Sequence, residues 1–270
     1  MDLRIESNRD GKFDSVCLQG NDISNILEEM KKRNLCNVVI NSAWGWDRSL
    51  TLDFLYENDW IEGVELIDED YDITPINCLR KLRFLGISPS RIKGRIDLAN
   101  FEKLEYLSIW WQKNKFLNLE TCTKCIHVYI SSFPNKDLSS FHKYTQLKAL
   151  VINFSKLESF EGIQDCHCLN KLDIFSAQQL RSINIPVKIA NGITHFLLEK
   201  CMQIESYKIL EDMVNLEALY FCDAAPIHSI DFLREMNKLQ YAYIGVAIQD
   251  RNVSFLKERG FEFKYAKSYN

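Results

Sequence analysis

Thiols and imidazoles are the residues of this 270-residue chain whose spacing first suggests chemistry. Cys122-x-x-Cys125 and Cys166-x-Cys168, with His167 inside the second pair, are ligand types that close a structural zinc site when four converge. The other histidines, His127, His142, His195 and His228, can serve as acid or base only where a nucleophile or carboxylate stands beside them. The sequence has no G-x-S-x-G elbow, no G-x-x-x-x-G-K-S/T loop, no G-x-G-x-x-G and no H-E-x-x-H. The signatures of acyl transfer, phosphate cradling, dinucleotide binding and zinc proteolysis are therefore missing, and no cofactor and no catalytic residue is expected.

Composition narrows the field further. The chain is 46% hydrophobic and 26% charged, with 33 Lys and Arg against 37 Asp and Glu, as in ordinary globular proteins. A net charge of −4 and a pI near 5.8 argue against a non-specific nucleic-acid binder, which needs a basic surface. No window approaches the roughly 18 uncharged apolar residues of a membrane span, so no membrane partner is expected. The opening residues 1–7 carry charges where a secretory signal needs an apolar stretch. Nine cysteines, an odd number, then point to reduced thiols in the cytoplasm. With only 10 Gly and 5 Pro there is little material for a linker, which favours one continuous body over residues 1–270.

The elements that would position these residues repeat. Leu104-Glu-Tyr-Leu107-Ser-Ile109, Leu147-Lys-Ala-Leu150-Val-Ile152, Leu169-Asn-Lys-Leu172-Asp-Ile174 and Leu216-Glu-Ala-Leu219-Tyr-Phe221 are all apolar at positions 1, 4 and 6. The first apolar residues of all copies are Phe13, Leu35, Ile61, Leu82, Leu104, Cys125, Leu147, Leu169, Ile193, Leu216, Leu239 and Phe261, at intervals of 21 to 26 residues. A strand this short cannot bury its apolar residues alone, so neighbouring copies must stack, giving a parallel sheet of about 12 strands. Between strands, Leu138, Phe141 and Tyr144, or Leu157, Phe160 and Ile163, recur every third residue, a step that suits helical or 3₁₀ turns.

This pattern resembles the leucine-rich repeat, closest in period to the 22-residue class of internalin-like bacterial proteins and a regulatory subunit of protein phosphatase 1. Phe13, Val16, Leu18, Asn21 and Ile23 fit the family's L-x-x-L-x-L-x-x-N-x-I consensus. Later copies depart at the asparagine, which is replaced by Ser90, Gln112, Ser155, Ala177, Cys201, Ala224 and Ala247, so irregular turns are expected there. The resemblance implies an α/β solenoid curved as a horseshoe, with the sheet on the concave face and short helices or 3₁₀ turns on the convex one. Repeats span 13–252, a polar N-terminal edge covers 1–12, and 253–270 form a C-terminal cap, with a short helix closed by Gly260 before a last strand.

In such a repeat, positions 3 and 5 face the concave side, with 7 and 8 at its edge. Position 3 then holds Phe84, Tyr106, His127, Ala149, Lys171, His195, Ala218 and Tyr241, and position 5 holds Glu65, Gly86, Ser108, Tyr129, Val151, Asp173, Leu197, Tyr220 and Tyr243. Trp110, Trp111, Phe154 and Phe175 fall at the edge. So many aromatics on a face open to water mark a binding surface; the alternative is that the edge residues tuck into the turns as core. The candidate partner-binding residues are Glu65, Phe84, Tyr106, Trp110, Trp111, His127, Tyr129, Phe154, Lys171, Asp173, Phe175, His195, Tyr220 and Tyr243. The long interval between Leu35 and Ile61 contains Trp44-Gly-Trp46, which suits either a partner contact or a lid over the early repeats. Residues 59–72 hold Asp59, Glu62, Glu65, Asp68, Glu69, Asp70 and Asp72 without a Lys or Arg, an acidic strip that would steer a basic partner or simply be a solvated turn.

The same register argues against the metal site. Cys122 and Cys166 fall two repeats apart, about 10 Å, whereas two thiolates on one zinc lie within about 4.6 Å. His127 and His195 are three repeats apart, about 14 Å, too far for a dyad, while His142, His167 and His228 read as turn or surface residues. The expectation is a monomeric, non-enzymatic module that grips one protein partner, as inhibitors and toxin-immunity proteins of this family do; the alternative is a self-assembling scaffold.

Overall fold

The computed structural model describes residues 3–7, 13–20, 22–253, 255 and the backbone of 262–265. It forms two compact units, Met1–Cys125 and Ile126–Asn270. The first contains β1 (Ile5–Ser7), β2 (Asp14–Cys17), α1 (Ile23–Lys32), β3 (Asn37–Ile40), β4 (Gly63–Leu66), β5 (Phe84–Ile87), β6 (Ile96–Asp97), β7 (Tyr106–Trp110) and β8 (Phe116–Leu117). The second contains β9 (His127–Ser131), β10 (Ala149–Asn153), β11 (Lys171–Phe175), α2 (Val187–Ala190), β12 (His195–Glu199), β13 (Ala218–Cys222), β14 (Tyr241–Gly245) and β15 (Glu262–Tyr265).

Twelve of these strands begin within two residues of the start of each sequence copy. In the first unit β2, β3, β4, β5 and β7 pair in parallel, each with the next. In the second, β9 to β15 do the same. The pairing keeps equivalent positions opposite one another, as in Lys171 to His195 and Asp173 to Leu197. Positions 4 and 6, such as Leu150, Ile152, Leu172, Ile174, Leu219 and Phe221, are buried. Each fully buried aliphatic side chain contributes about 1.5–3 kcal/mol, enough across a stack to order strands that would be unstable singly. β1 runs antiparallel to β2, so the edge of the first repeat strand is paired.

The three-residue step returns as 3₁₀ hydrogen bonding. Phe141, Tyr144 and Leu147 donate through their backbone N–H to the carbonyls of Leu138, Phe141 and Tyr144 at 2.9, 2.9 and 3.1 Å. Their side chains, like those of Leu157, Phe160 and Ile163, are buried. Among the described residues, only the first repeat has a longer helix: α1 buries Ile26, Leu27 and Met30 along one face.

Two details differ from the sequence expectation. Loss of the asparagine ladder does not make the turns of the second unit irregular. Position 8 of five successive copies, Ser132, Phe154, Ser176, Lys200 and Asp223, is left-handed, with φ between 49° and 59°. In that conformation the N–H groups of Ser132, Phe154, Ser176 and Lys200 reach the position-7 carbonyl of the next copy at 2.8 to 3.1 Å. A backbone bond thus replaces the missing side chain. The second difference is in the last strand, where Tyr241 lies opposite Glu262 and Ala242 opposite Phe263. The motif therefore starts one residue earlier than Phe261. Of the expected cap helix, only Phe255 lies within the described residues, beneath the Arg234 guanidinium at 3.9 Å; residues 1–2 and 8–12 of the polar edge also lie outside them.

One turn depends on glycine. Gly162 has φ +109°, and a Cβ there would sit 2.2 Å from the Ser139 backbone nitrogen. Gly20 also has positive φ, +60°, but open space around it. Gly162→Ala is therefore expected to lower the unfolding free energy by more than about 2 kcal/mol, and Gly20→Ala by about 1 kcal/mol or less. Urea denaturation of both variants checks the order; equal losses would mean that the contact with Ser139 does not constrain the turn.

Candidate functional site

The two units use the same sheet positions in opposite ways. In the first, Phe13, expected in the core as a first motif residue, stacks its ring on Phe84 (centroids 5.3 Å, 9°) and meets Tyr106 edge-on at 6.2 Å. Phe84 and Tyr106 lie 5.2 Å apart, and the Arg83 guanidinium approaches Phe13 at 6.0 Å. Phe84 and Tyr106 are 1% and 4% exposed. Both were candidate contacts; they form a closed aromatic cluster instead, because Phe13 covers them. Ser15, Cys17, Val39, Gly63 and Gly86 on the same positions are buried as well. Glu65 is half-buried, and burial raises its carboxyl above the usual range.

The tryptophan loop resolves toward a lid. Trp46 is 3% exposed, its indole N–H donates to the Tyr71 hydroxyl at 2.7 Å, and its ring meets Phe54 at 5.9 Å. Trp44 is half-buried beneath Arg4, 5.0 Å from its guanidinium carbon. Trp111 is half-buried against Phe116 at 5.8 Å, in the turn after β7, and Trp110 is half-buried beside it.

Five of the seven carboxylates of the acidic strip have partners within the unit. Asp68 accepts from the Ser42 N–H and hydroxyl at 2.6 and 2.7 Å. Glu69 and Asp70 hold Arg91 at 2.7 and 3.0 Å, and Glu62 lies 4.0 Å from Arg83. Asp72 accepts the Thr74 N–H at 2.9 Å; a bond with the Thr74 side chain, and then this one, hold its carboxyl below the usual range.

The second unit keeps its face open. One row reads His127, Ala149, Lys171, His195, Ala218 and Tyr241, the next Tyr129, Val151, Asp173, Leu197, Tyr220 and Tyr243. Neighbours in a row are one strand apart, about 4.8 Å. Ala149, Val151 and Asp173 are buried; Tyr129, Leu197, Tyr220, Tyr241 and Tyr243 are half-buried, and His195 is exposed. Lys171 Nζ stands 3.3 Å from the Asp173 carboxylate on the same strand. Tyr220 and Tyr243 stack at 4.7 Å and 15°. Burial, and then a hydrogen bond with Cys222, push the Tyr220 hydroxyl up to about 12. At the edge Phe175 is half-buried, while Phe154 is 56% exposed in its left-handed turn.

No protein-family model and no curated protein matches this chain. Solved structures do. An internalin of Listeria monocytogenes, InlF, superposes with a TM-score of 0.63 at 13% identity, covering 88% of this chain and 68% of its own. The functional domain of InlJ from the same organism, which includes a cysteine ladder, gives 0.53 at 11% identity, covering 79% of this chain and 50% of its own. The chain has the leucine-rich-repeat fold.

Within that fold the candidate residues divide by unit. His127, Tyr129, Phe154, Lys171, Asp173, Phe175, His195, Tyr220 and Tyr243 come together on one leucine-rich-repeat face, whereas Phe84, Tyr106 and Trp46 are core. Tyr241 and Leu197 belong to the open face as well; the register already placed them there, and their neighbours Tyr243 and Tyr220 were the signal that could have singled them out.

The buried thiols and the remaining histidines stand apart from that face. All nine cysteines are free, and Cys17, Cys122, Cys125, Cys166 and Cys201 are buried. Desolvation pushes the Cys166 thiol up to about 12 and Cys17 and Cys201 to about 11. Among the described residues, no three His, Cys, Asp or Glu groups converge as metal ligands. No described helix is long and apolar enough to cross a membrane. His127 and His195 are separated by two intervening strands in the row, and His142, His167 and His228 are exposed.

Two outcomes follow. Cys168 is exposed, so a thiol reagent at neutral pH should modify it rapidly in the native protein, with the five buried thiols reacting only on unfolding; mass spectrometry counts them. A tyrosine raised above its unfolded value near 10 holds its proton more tightly when folded. Stability from this source is complete below about pH 10 and lost as pH rises through about 12. Tyr220→Phe should therefore flatten the alkaline fall in urea midpoint, and an unchanged slope would assign that fall to other groups.

Proposed function

We propose that this chain is a non-enzymatic protein-binding module whose contact surface is the open face of β9 to β14. The observation that carries the proposal is the Tyr220–Tyr243 stack beside Leu197 and Tyr241. These large side chains are left half-exposed on a rigid sheet, where they have rotamers already restricted by one another. Tyrosine presents broad apolar area with a polar tip at low entropic cost, which is why it is enriched among the few residues that dominate interface energies. The Lys171–Asp173 pair and His195 supply polar contacts at the other end of the same rows.

In this reading the protein acts as a monomer in a reducing cytoplasm and its function is complex formation. It covers one protein partner and thereby inhibits or neutralises it. The fold likeness to internalins supports an interaction scaffold and nothing finer about the partner.

The experiment is affinity capture from the native lysate with wild type and a Tyr220→Ala/Tyr243→Ala variant, with urea denaturation of both baits. One stoichiometric partner should be captured by wild type and bound at least 30-fold more weakly by the variant, about 2 kcal/mol or more, while the urea midpoint moves little. Equal capture by both baits would remove the stack from the interface. Capture of no partner together with a mass that rises with concentration would replace the proposal by self-assembly.

A further inference from the structure

The segments that follow the strands in the second unit carry their own backbone ladder. Glu158 and Ser159 donate their N–H groups to the Lys136 carbonyl at 2.7 and 3.2 Å, and Arg181 and Ser182 to the Glu158 carbonyl at 3.0 and 3.3 Å. Ser159 and Ser182 form a parallel bridge. This ladder holds Lys136, Glu158 and Arg181 in successive turns, about 4.8 Å per step. Lys156, Gln179 and Gln203 complete the lining of a groove of about 590 Å³.

All six lining residues are polar, three of them cationic and one anionic. Glu158 is engaged by Lys136 at 2.8 Å. Arg181 donates through Nε to the Gln203 side-chain carbonyl at 3.3 Å, and among the described residues its guanidinium makes no ion pair. Lys156 has no ion pair or side-chain hydrogen bond among the described residues. Two positive charges in adjacent turns are therefore uncompensated, with amide donors beside them.

We infer that this groove is a second binding site, separate from the tyrosine face, that takes a small polyanion bearing phosphate-type groups. Its volume falls in the range of small-ligand sites, but no hydrophobic or aromatic residue is among those that line it, and its apolar surface consists of the stems of charged and amide side chains. Recognition here rests on the anionic groups alone. The planar fork of Arg181 suits two oxygens of one tetrahedral oxyanion, and Lys156 supplies a compact charge for a neighbouring one. Glu158 sets the limit on affinity, since it cancels Lys136 and repels the ligand.

The test is calorimetric titration of the full chain with sodium tripolyphosphate at pH 7, at low salt and at 0.15 M NaCl. One saturable site per chain is expected, weaker at the higher salt. Lys156→Ala/Arg181→Ala should lose at least tenfold in affinity, and Glu158→Gln, which removes the carboxylate and frees Lys136, should bind several-fold more tightly. Lys81→Ala/Lys103→Ala, at exposed lysines of the other unit, is the charge-matched control. Non-saturable uptake, or equal weakening in the control pair, would reduce the groove to diffuse surface charge and overturn the inference. Partner capture through the tyrosine face should be unchanged by Lys156→Ala/Arg181→Ala, so the two sites succeed or fail separately.

Discussion

Within each unit, the repeat strands from β3 to β7 and from β9 to β14 are each joined to the one before by a shared acceptor. Lys148 and Ala149 both donate to the Ile126 carbonyl, Asn170 and Lys171 to Lys148, Thr194 and His195 to Asn170, and Glu217 and Ala218 to Thr194. The same pattern links Glu62 and Gly63 to Cys36, and Arg83 and Phe84 to Glu62, in the first unit. Two consecutive N–H groups on one carbonyl leave a strand no freedom to slip. A slip of one residue would exchange core and surface positions along the whole strand, so this bond fixes which side chains enter the core and which form rows on the face. The tyrosine stack, the Lys171–Asp173 pair and the Phe13 cluster all inherit their alignment from it.

What the sequence made legible was whatever recurs with that bond. The apolar positions 1, 4 and 6, the three-residue step of the turns and the rows of positions 3 and 5 repeat because every copy must bury the same places, and twelve copies raise that signal above chance. What stayed hidden occurs once. Phe13 has the type expected of a core residue, and nothing local says that its ring will lie on Phe84, three strands away. Trp46 reads equally as contact or lid until Tyr71 is seen to accept its N–H. The last strand was misplaced by one residue because Phe261 offers an apolar residue for position 1, and only pairing with β14, which sets residue 263 opposite Ala242, makes Phe263 position 4 instead.

The missing asparagines show how one chemical need can be met by two sequence solutions. A buried turn must satisfy its backbone groups, and an asparagine ladder does so with side chains. Here Ala177, Cys201 and Ala224 fill the position with small buried side chains, and the left-handed residue before each lets the main chain make the bond instead. The left-handed conformation costs a non-glycine residue of order 1 kcal/mol. That cost is spread over Ser132, Phe154, Ser176, Lys200 and Asp223, and is offset by a hydrogen bond at most of these steps. Propensity could not reveal this solution, since phenylalanine and lysine are poor choices for such a conformation.

Phe154 joins the scaffold to its use. A serine stands at the equivalent position on either side of it, in Ser132 and Ser176, and meets the same backbone geometry. The turn therefore does not require an aromatic ring, and this one is left more than half exposed. The same holds for the position-5 row, where Val151 and Asp173 are buried but Tyr220 and Tyr243 stand partly in water. Compared with the first unit, where the corresponding positions are small or covered, the second unit carries apolar surface beyond what its own stability uses. A surface of that kind lowers its free energy by being covered. The fixed register sets Leu197, Tyr220 and Tyr243 side by side in neighbouring strands, and this is the physical reason for proposing that recognition lies on the second unit.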